Sequence, residues 1–483
     1  MGIARNYIYN ATLTIANLIV PFITTPYITR VLDPEGVGSV AFTASIVQYF
    51  VFLATLGVDL YGTRELAFVK EEPEKLRRMF WSIFFSKLLT SSISFLTFLI
   101  FVFFLCSKHT KLYLIQSMQI INAAIDITFL YSGLEDFKRI TLRGLIARFS
   151  GVVLLFILVR KPSDYYLYAL ISVATILVGN VWMWMNLPSI VLRVVRPSFE
   201  ELRRHLSGAL RLFIPLVAIQ VYVALDKTMV GVLSNESEVA YYDMSQRVVK
   251  MILGLVTAIG PVMIPRMSSL IAQGMEEEKK RYVKIVFEFV TYSSTFIIVL
   301  LAITMRDFVP LFFGNKFLKV KDLIIYISPI ILFISWSNLF GMQLMVPMKK
   351  EPYLTVSVTC GAVTNFAMNL LLIPRYKALG AVIGTVIAEF IVTFVQIVLI
   401  RKMLDLKDLF KDSWKHFLAG AITLITLLTV TRARLGSIGK MVIEVLLGMV
   451  VYVLVEHVLK SDINSYLLKK AKQTFAGFIS ISK

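Results

Sequence analysis

Long apolar runs follow one another along this chain, separated by short polar or charged stretches. A helix rising 1.5 Å per residue needs about 20 apolar residues to cross a hydrocarbon core about 30 Å thick. On that measure the sequence predicts fourteen spanning helices. They fall near 7–31, 39–63, 79–106, 112–132, 142–160, 164–187, 208–233, 239–268, 283–305, 322–347, 353–374, 378–400, 414–431 and 438–459. The first run reads as a span and not as a cleavable leader. It is too long, carries Asn10, Asn17, Pro21 and Pro26, and lacks a small-residue cleavage site. The expected class is an all-α polytopic membrane protein. No loop is long enough for an extramembrane catalytic domain, so the work is expected to be done between the helices.

Composition agrees with the pattern. The 483 residues are 57% hydrophobic and only 17% charged, with a mean hydropathy of +0.75. Soluble domains run at about 45–50% apolar and about 25% charged. A soluble enzyme, a disulfide scaffold and a disordered chain are excluded. The net charge of +19 changes the picture only through its distribution. Most Lys and Arg cluster on one side of the predicted spans, as at Arg64–Arg78, Lys138–Arg148, Arg193–Arg211, Lys279–Lys284 and Arg401–Lys415. This is the positive-inside bias. Both termini are therefore expected in the cytoplasm of a multi-pass cell-membrane protein, with the basic loops facing anionic lipid and no nucleic acid as partner. The loop holding Arg306, Lys316, Lys319 and Lys321 runs against the rule.

Cys106 and Cys360 stand in separate apolar runs, and His109, His205, His416 and His457 are scattered. No HExxH, CxxC, Walker-type or GxSxG motif occurs. No metal, cofactor or catalytic residue is expected.

The expected organisation is a first lobe over 1–190, a cytoplasmic amphipathic linker over 191–207 and a second lobe over 208–404. A further pair of spans over 410–460 and a basic cytoplasmic tail over 461–483 follow. The exit of span one, Thr29 to Gly38, weakly repeats that of span seven, Gly231 to Ala240. That suggests a parallel internal duplication.

Charge inside a span costs at least about 2.5–3.5 kcal/mol at the centre and calls for a partner or a wet cavity. Lys87 on span three and Asp126 on span four are expected at similar depth, about 9–12 Å from the cytoplasmic side, and so near one another. Asp226 and Lys227 on span seven are expected level with Arg247 on span eight, with Lys250 one turn deeper. Asn10, Thr14, Asn17, Pro21 and Thr24 form one helix face, and Gln119, Asn122 and Asp126 another. Such faces are expected to look inward, because lipid leaves amide donors unsatisfied. Pro21, Pro26, Pro261 and Pro265 are expected to kink spans one and eight.

Five segments then carry a family likeness. They are Pro26–Leu32 running into Glu35–Gly38, Leu56–Glu65, Leu225–Gly231 followed by Ala240–Tyr242, Phe312–Phe317, and Gly380–Thr385 with Ala388 and Glu389. In this order and spacing the chain resembles, over roughly 5–400, the Wzx-type polysaccharide flippases of the multidrug/oligosaccharidyl-lipid/polysaccharide exporter superfamily. The resemblance implies two pseudo-symmetric six-helix lobes around a central cavity, with two extra C-terminal helices. It implies movement of an undecaprenyl-diphosphate-linked oligosaccharide across the cytoplasmic membrane by alternating access. H+ or Na+ are the candidate coupling ions, and polysaccharide polymerase or export proteins the candidate partners. The diphosphate would meet Arg30, Lys87, Lys227, Arg247 and Lys250, since charge-assisted bonds to phosphate are strong. The sugar hydroxyls would meet Asn10, Asn17, Gln119 and Asn122. Asp126, Asp226 and Glu389 are the ion-coupling or ion-pair candidates. Two rivals share the membrane setting. A multidrug exporter of the same superfamily would favour an acidic cavity. An integral-membrane glycosyltransferase or polymerase would need a large catalytic loop.

Overall fold

The computed structural model describes residues 3–105, 108–257, 260–430 and 436–481. It is helical, without a strand among the described residues. Eleven helical segments among them are long and apolar enough to span a bilayer. The chain divides into two compact units, Met1–Asp243 and Met244–Lys483.

The first unit opens with α1 (Ile3–Val31), α2 (Pro34–Thr55), α3 (Val58–Phe68) and α4 (Pro73–Ile100). Next come the short α5 (Thr110–Gln116), α6 (Met118–Ile125) and α7 (Thr128–Gly133), then α8 (Phe137–Leu158), α9 (Tyr165–Met185) and α10 (Phe199–Leu233). Two expected spans are interrupted. The run at 39–63 is two helices, broken where Leu56 and Gly57 both take left-handed backbone, at φ 43° and 73°. Glycine adopts that conformation without the steric penalty of a Cβ. Here a Cβ would also lie 3.1 Å from the Ala209 carbonyl of α10. The run at 112–132 is three helices, with an extended residue at Asp126 between α6 and α7.

A helix end inside a membrane exposes carbonyls that water cannot reach, at several kcal/mol each. At the first break, Thr90 Oγ1 and Ser91 Oγ of α4 donate to the Ala54 carbonyl at 2.6 and 3.3 Å. An aromatic core braces both breaks. Phe80, Trp81 and Phe84 of α4 pack with Phe129 and Tyr131 of α7, and Trp184 of α9 joins them.

Residues 199–207, expected in the linker, form the first turns of α10. The helix opens on a capping box in which Ser198 Oγ accepts from the Glu201 N–H and Glu201 Oε2 accepts from the Ser198 N–H. α10 packs on α2, α3 and α4, and the first unit therefore takes it in. At Gly231 the approach to α2 is so close that a Cβ would fall 2.1 Å from the Phe42 ring.

α11 (Glu236–Thr257) runs across the division into the second unit. That unit continues with α12 (Gly260–Ala272) and the long α13 (Glu276–Phe313). The span expected at 322–347 is α14 (Val320–Ile327), α15 (Ile330–Ser337) and a π-helical segment, Asn338–Met345, broken first at Pro329. α16 (Glu351–Tyr376) and α17 (Ala378–Ile400) form a tight hairpin, and the short α18 (Leu406–Phe410) follows. α19 (Ser413–Val430) and α20 (Ser437–Val458) both pack on α13. The tail expected over 461–483 carries α21 (Asp462–Ile481).

Candidate functional site

The polar groups of the first unit gather where its helices break. Lys87 of α4 is fully enclosed, with 0% of its side chain exposed. Its ammonium donates to Asp59 Oδ1 at 2.6 Å and to the Asp126 backbone carbonyl at 2.9 Å. It also stands 5.6 Å from the centre of the Phe129 ring, a cation–π distance. Asp59 sits in the first turn of α3 and Lys87 faces the C-terminal end of α6. Both charges thus oppose the helix dipole ends they meet.

The expected approach of Lys87 to Asp126 is made through the carbonyl, because the carboxylate has other partners. Asp126 Oδ2 accepts from Arg143 Nη2 of α8 at 2.6 Å, and Oδ1 accepts from the N–H of Thr128, the first residue of α7, at 2.8 Å. Arg143 Nε donates to Asn180 Oδ1 of α9 at 2.9 Å. Asn180 Nδ2 donates in turn to the Asn122 carbonyl at 3.2 Å, and Asn122 Nδ2 to the Val173 carbonyl at 2.8 Å. Trp184 Nε1 donates to the Ile125 carbonyl at 2.8 Å. The free carbonyls at the end of α6 are therefore met by a lysine of α4 and by an asparagine and a tryptophan of α9. Charge and helix breaks stabilise one another, and the set joins α3, α4, α6, α7, α8 and α9.

A second cluster lies on α10. Asp226 accepts from the Tyr242 hydroxyl, and Lys227 pairs with Asp243, the last residue of the unit. Thr228 Oγ1 is 3.0 Å from Ser45 Oγ and accepts from the Tyr49 hydroxyl at 3.2 Å, tying α10 to α2.

The remaining candidates are dispersed. Arg30 is exposed near the end of α1, where its guanidinium donates to the Pro26 carbonyl at 3.2 Å. Asn17 is exposed on the same helix, and the side chain of Asn10 lies outside the described residues. Gln119 donates to Gln116, whose own amide donates to the Val40 carbonyl. Arg247 is half-buried and Lys250 exposed on α11, and Glu389 is half-buried on α17, all in the second unit.

Asp59, Arg143, Asn180 and Asp243 are polar partners that sequence reasoning did not single out. Asp59 has a visible signal, an acid two residues beyond a glycine inside an apolar run. Arg143 has none. It stands among the basic residues that mark the start of a span, and only the fold turns it toward Asp126.

Comparison with known proteins follows the same lines. The profile of the family described as "Polysaccharide biosynthesis protein" matches residues 3–271. A protein of Escherichia coli (strain K12) named "Putative O-antigen transporter" is 24% identical over 404 residues, covering 83% of this chain and 97% of that one. Among solved structures, the lipid II flippase MurJ in an inward closed conformation is similar with a TM-score of 0.76 at 14% identity. The match covers 94% of this chain and 99% of that one. An inward-facing multidrug resistance MATE family transporter of the MOP superfamily gives a TM-score of 0.62 at 13% identity, over 87% and 96%.

Proposed function

Because the chain belongs to the polysaccharide biosynthesis protein family, as a multi-pass membrane transporter and not an enzyme, we propose that it is a flippase for a lipid-linked oligosaccharide. It carries an undecaprenyl-diphosphate-linked repeat unit from the cytoplasmic to the outer leaflet by alternating access. Both termini lie in the cytoplasm, and H+ or Na+ provides the drive. The observation that supports this reading most is the agreement of two independent likenesses over most of the chain. One is in sequence, to an O-antigen transporter, and the other is in fold, to a lipid II flippase. The chemistry agrees. A diphosphate and a sugar need cations and hydrogen-bonding groups inside the membrane, while a polyprenyl tail can remain in lipid.

The candidate residues divide by their surroundings. Arg30, Arg247 and Lys250 are exposed or half-buried and serve the diphosphate, with Lys227 released from Asp243 as the fourth cation. Asn10 and Asn17 serve the sugar. Lys87, Asn122, Gln119 and Asp126 act as positioning residues, since their polar groups are already engaged around the α6–α7 break. Asp226 and Glu389 remain the ion-coupling candidates.

The test is complementation of a strain lacking its own flippase, scored for surface polysaccharide beside the abundance of the protein in the membrane. Arg247→Ala and Lys250→Ala are expected each to lower surface polysaccharide at least tenfold at unchanged abundance. Lys250→Arg should retain function, while Arg247→Lys should lose a bidentate phosphate contact and with it most transport. Full surface polysaccharide in the Arg247→Ala/Lys250→Ala double variant would overturn the assignment of the diphosphate to these residues. Labelling of a cysteine at position 200 from outside intact cells would overturn the topology.

A further inference from the structure

A cavity of about 810 Å³ opens between the start of α4 and the start of α10, far along the chain from the α6–α7 break. That volume falls within the range of small-molecule sites, about 300–1,000 Å³. Its lining is basic, with Lys75 and Arg78 from α4 and Arg203, Arg204 and His205 from α10. We propose that this cavity binds the phosphate group of a lipid headgroup at the cytoplasmic face.

Three observations carry the assignment. First, the cations are not balanced by the acids beside them. Arg78 is paired with Glu201, whose other oxygen is taken by the Ser198 N–H, and Lys75 is paired with Glu72. Among the described residues neither Arg203 nor Arg204 has a carboxylate within ion-pair distance, although Glu200 shares the lining. Second, Ser82 also lines the cavity and is only 1% exposed, yet its Oγ has no hydrogen-bond partner among the described residues. A buried hydroxyl without a partner is uncommon and calls for one. A phosphate oxygen accepts from a hydroxyl and from two guanidinium groups together. Third, two exposed aromatic residues flank the lining segments in sequence. Phe68 and Phe199, each next in sequence to a lining residue, are 76% and 79% exposed. Aromatic side chains beside cations are the mark of an interfacial lipid site.

The phosphate assignment rests on the cavity. Only the choice of lipid rests on the transport reading. An anionic phospholipid and the diphosphate lipid to be transported offer the same chemistry. The first would make the cavity a lipid sensor, and the second a reception site ahead of the transport path.

The experiment uses the full chain in detergent, with inorganic pyrophosphate as the first probe, followed by titration calorimetry. Wild type should bind, more weakly as salt rises. Arg203→Gln/Arg204→Gln should weaken binding at least tenfold and Ser82→Ala several-fold. Arg401→Gln/Lys402→Gln removes equal charge from another exposed basic cluster and should leave binding unchanged. No binding to wild type, or equal loss in both double variants, overturns the site. In nanodiscs, displacement of pyrophosphate by phosphatidylglycerol supports the sensor. Displacement by undecaprenyl diphosphate but not by phosphatidylglycerol supports reception of substrate. Displacement by neither overturns the lipid assignment. The flippase reading fails separately, by absent complementation with wild-type protein, whatever the cavity binds.

Discussion

Lys87 in the first unit and His416 in the second are both sealed from solvent, and both meet an acid on another helix, yet the fold uses them differently. Lys87 sits where α6 stops, and one of its donors goes to the carbonyl that the break leaves free. His416 lies on α19, and its Nδ1 is 2.7 Å from Glu456 Oε1 of the unbroken α20, with side-chain exposures of 1% and 0%. Among the described residues its Nε2 has no hydrogen-bond partner. Tyr452, one turn before Glu456, donates to the Tyr292 carbonyl of α13. The second pair thus closes a helix contact that regular backbone would satisfy without it. The first pair stands in for backbone hydrogen bonds that the broken helix lacks. Removing both members of a pair should therefore be tolerated in the second unit and not in the first.

The largest effect is expected in the second unit. His416→Leu leaves the Glu456 carboxylate enclosed without its donor. Breaking one side of a buried pair costs about 3–5 kcal/mol. Glu456→Leu added to it should recover most of that loss, because an apolar replacement of a whole buried pair is often neutral. Thermal unfolding in detergent reads both. A double variant as unstable as the single one would show that the pair does more than hold α19 against α20.

Lys87→Met is expected to cost less, about 2–3 kcal/mol, because its partner Asp59 is half exposed and can be solvated. Here the second substitution should fail to rescue. Asp59→Asn with Lys87→Met removes the stranded acid but still leaves the Asp126 carbonyl without a donor. Recovery to wild-type stability would break the comparison, showing that the α6–α7 break does not need the ammonium. Gly57→Ala tests the other break at smaller scale. The left-handed backbone and the nearby Ala209 carbonyl together predict a loss of about 1–2 kcal/mol.

The same contrast decides what could be read from the sequence. The spans at 142–160, 353–374 and 378–400 were legible because an unbroken apolar run in a bilayer has one solution, a helix. The breaks were not. Gly57 lies in an apolar run and only its φ reveals the turn. The stretch at Asp126 contains neither Gly nor Pro, so no local signal marks it. It is held open by Lys87, Arg143 and Trp184, which come from three other helices. Depth arithmetic brought Lys87 to Asp126 because antiparallel neighbours share a depth scale. It could not assign the carboxylate to Arg143, since that requires the side-chain direction of a helix whose packing the sequence leaves open. Residues 199–207, expected in an amphipathic linker, are helical for a related reason. Their charges face a cavity mouth and Arg78, and the capping box at Ser198 starts the helix before the apolar run does.

The smallest effect concerns the first unit's own buried histidine, and it sharpens the contrast with His416. His205 lies in the first turns of α10, before the apolar part of the helix, and its Nδ1 is 3.0 Å from the Tyr61 hydroxyl rather than from an acid. Burial holds its pKa below the ordinary 6.5, and the neighbouring Arg204 adds to that, while Glu65 and Glu201 oppose it. The unfolded chain therefore binds more protons than the folded one as pH falls toward and below 6.5. Stability rises with pH wherever the unfolded state is the more protonated. The neutral ring contributes its full stability above about pH 6.5, and that contribution shrinks as pH drops. Wild type minus His205→Gln, measured by unfolding in detergent between pH 5 and 8, should show this loss on the acid side. A bound phosphate beside Arg203 and Arg204 would favour the charged ring and reverse the trend, making pyrophosphate more stabilising at pH 5.5 than at pH 7.5. An identical pyrophosphate effect at both values would separate His205 from the cavity it lines.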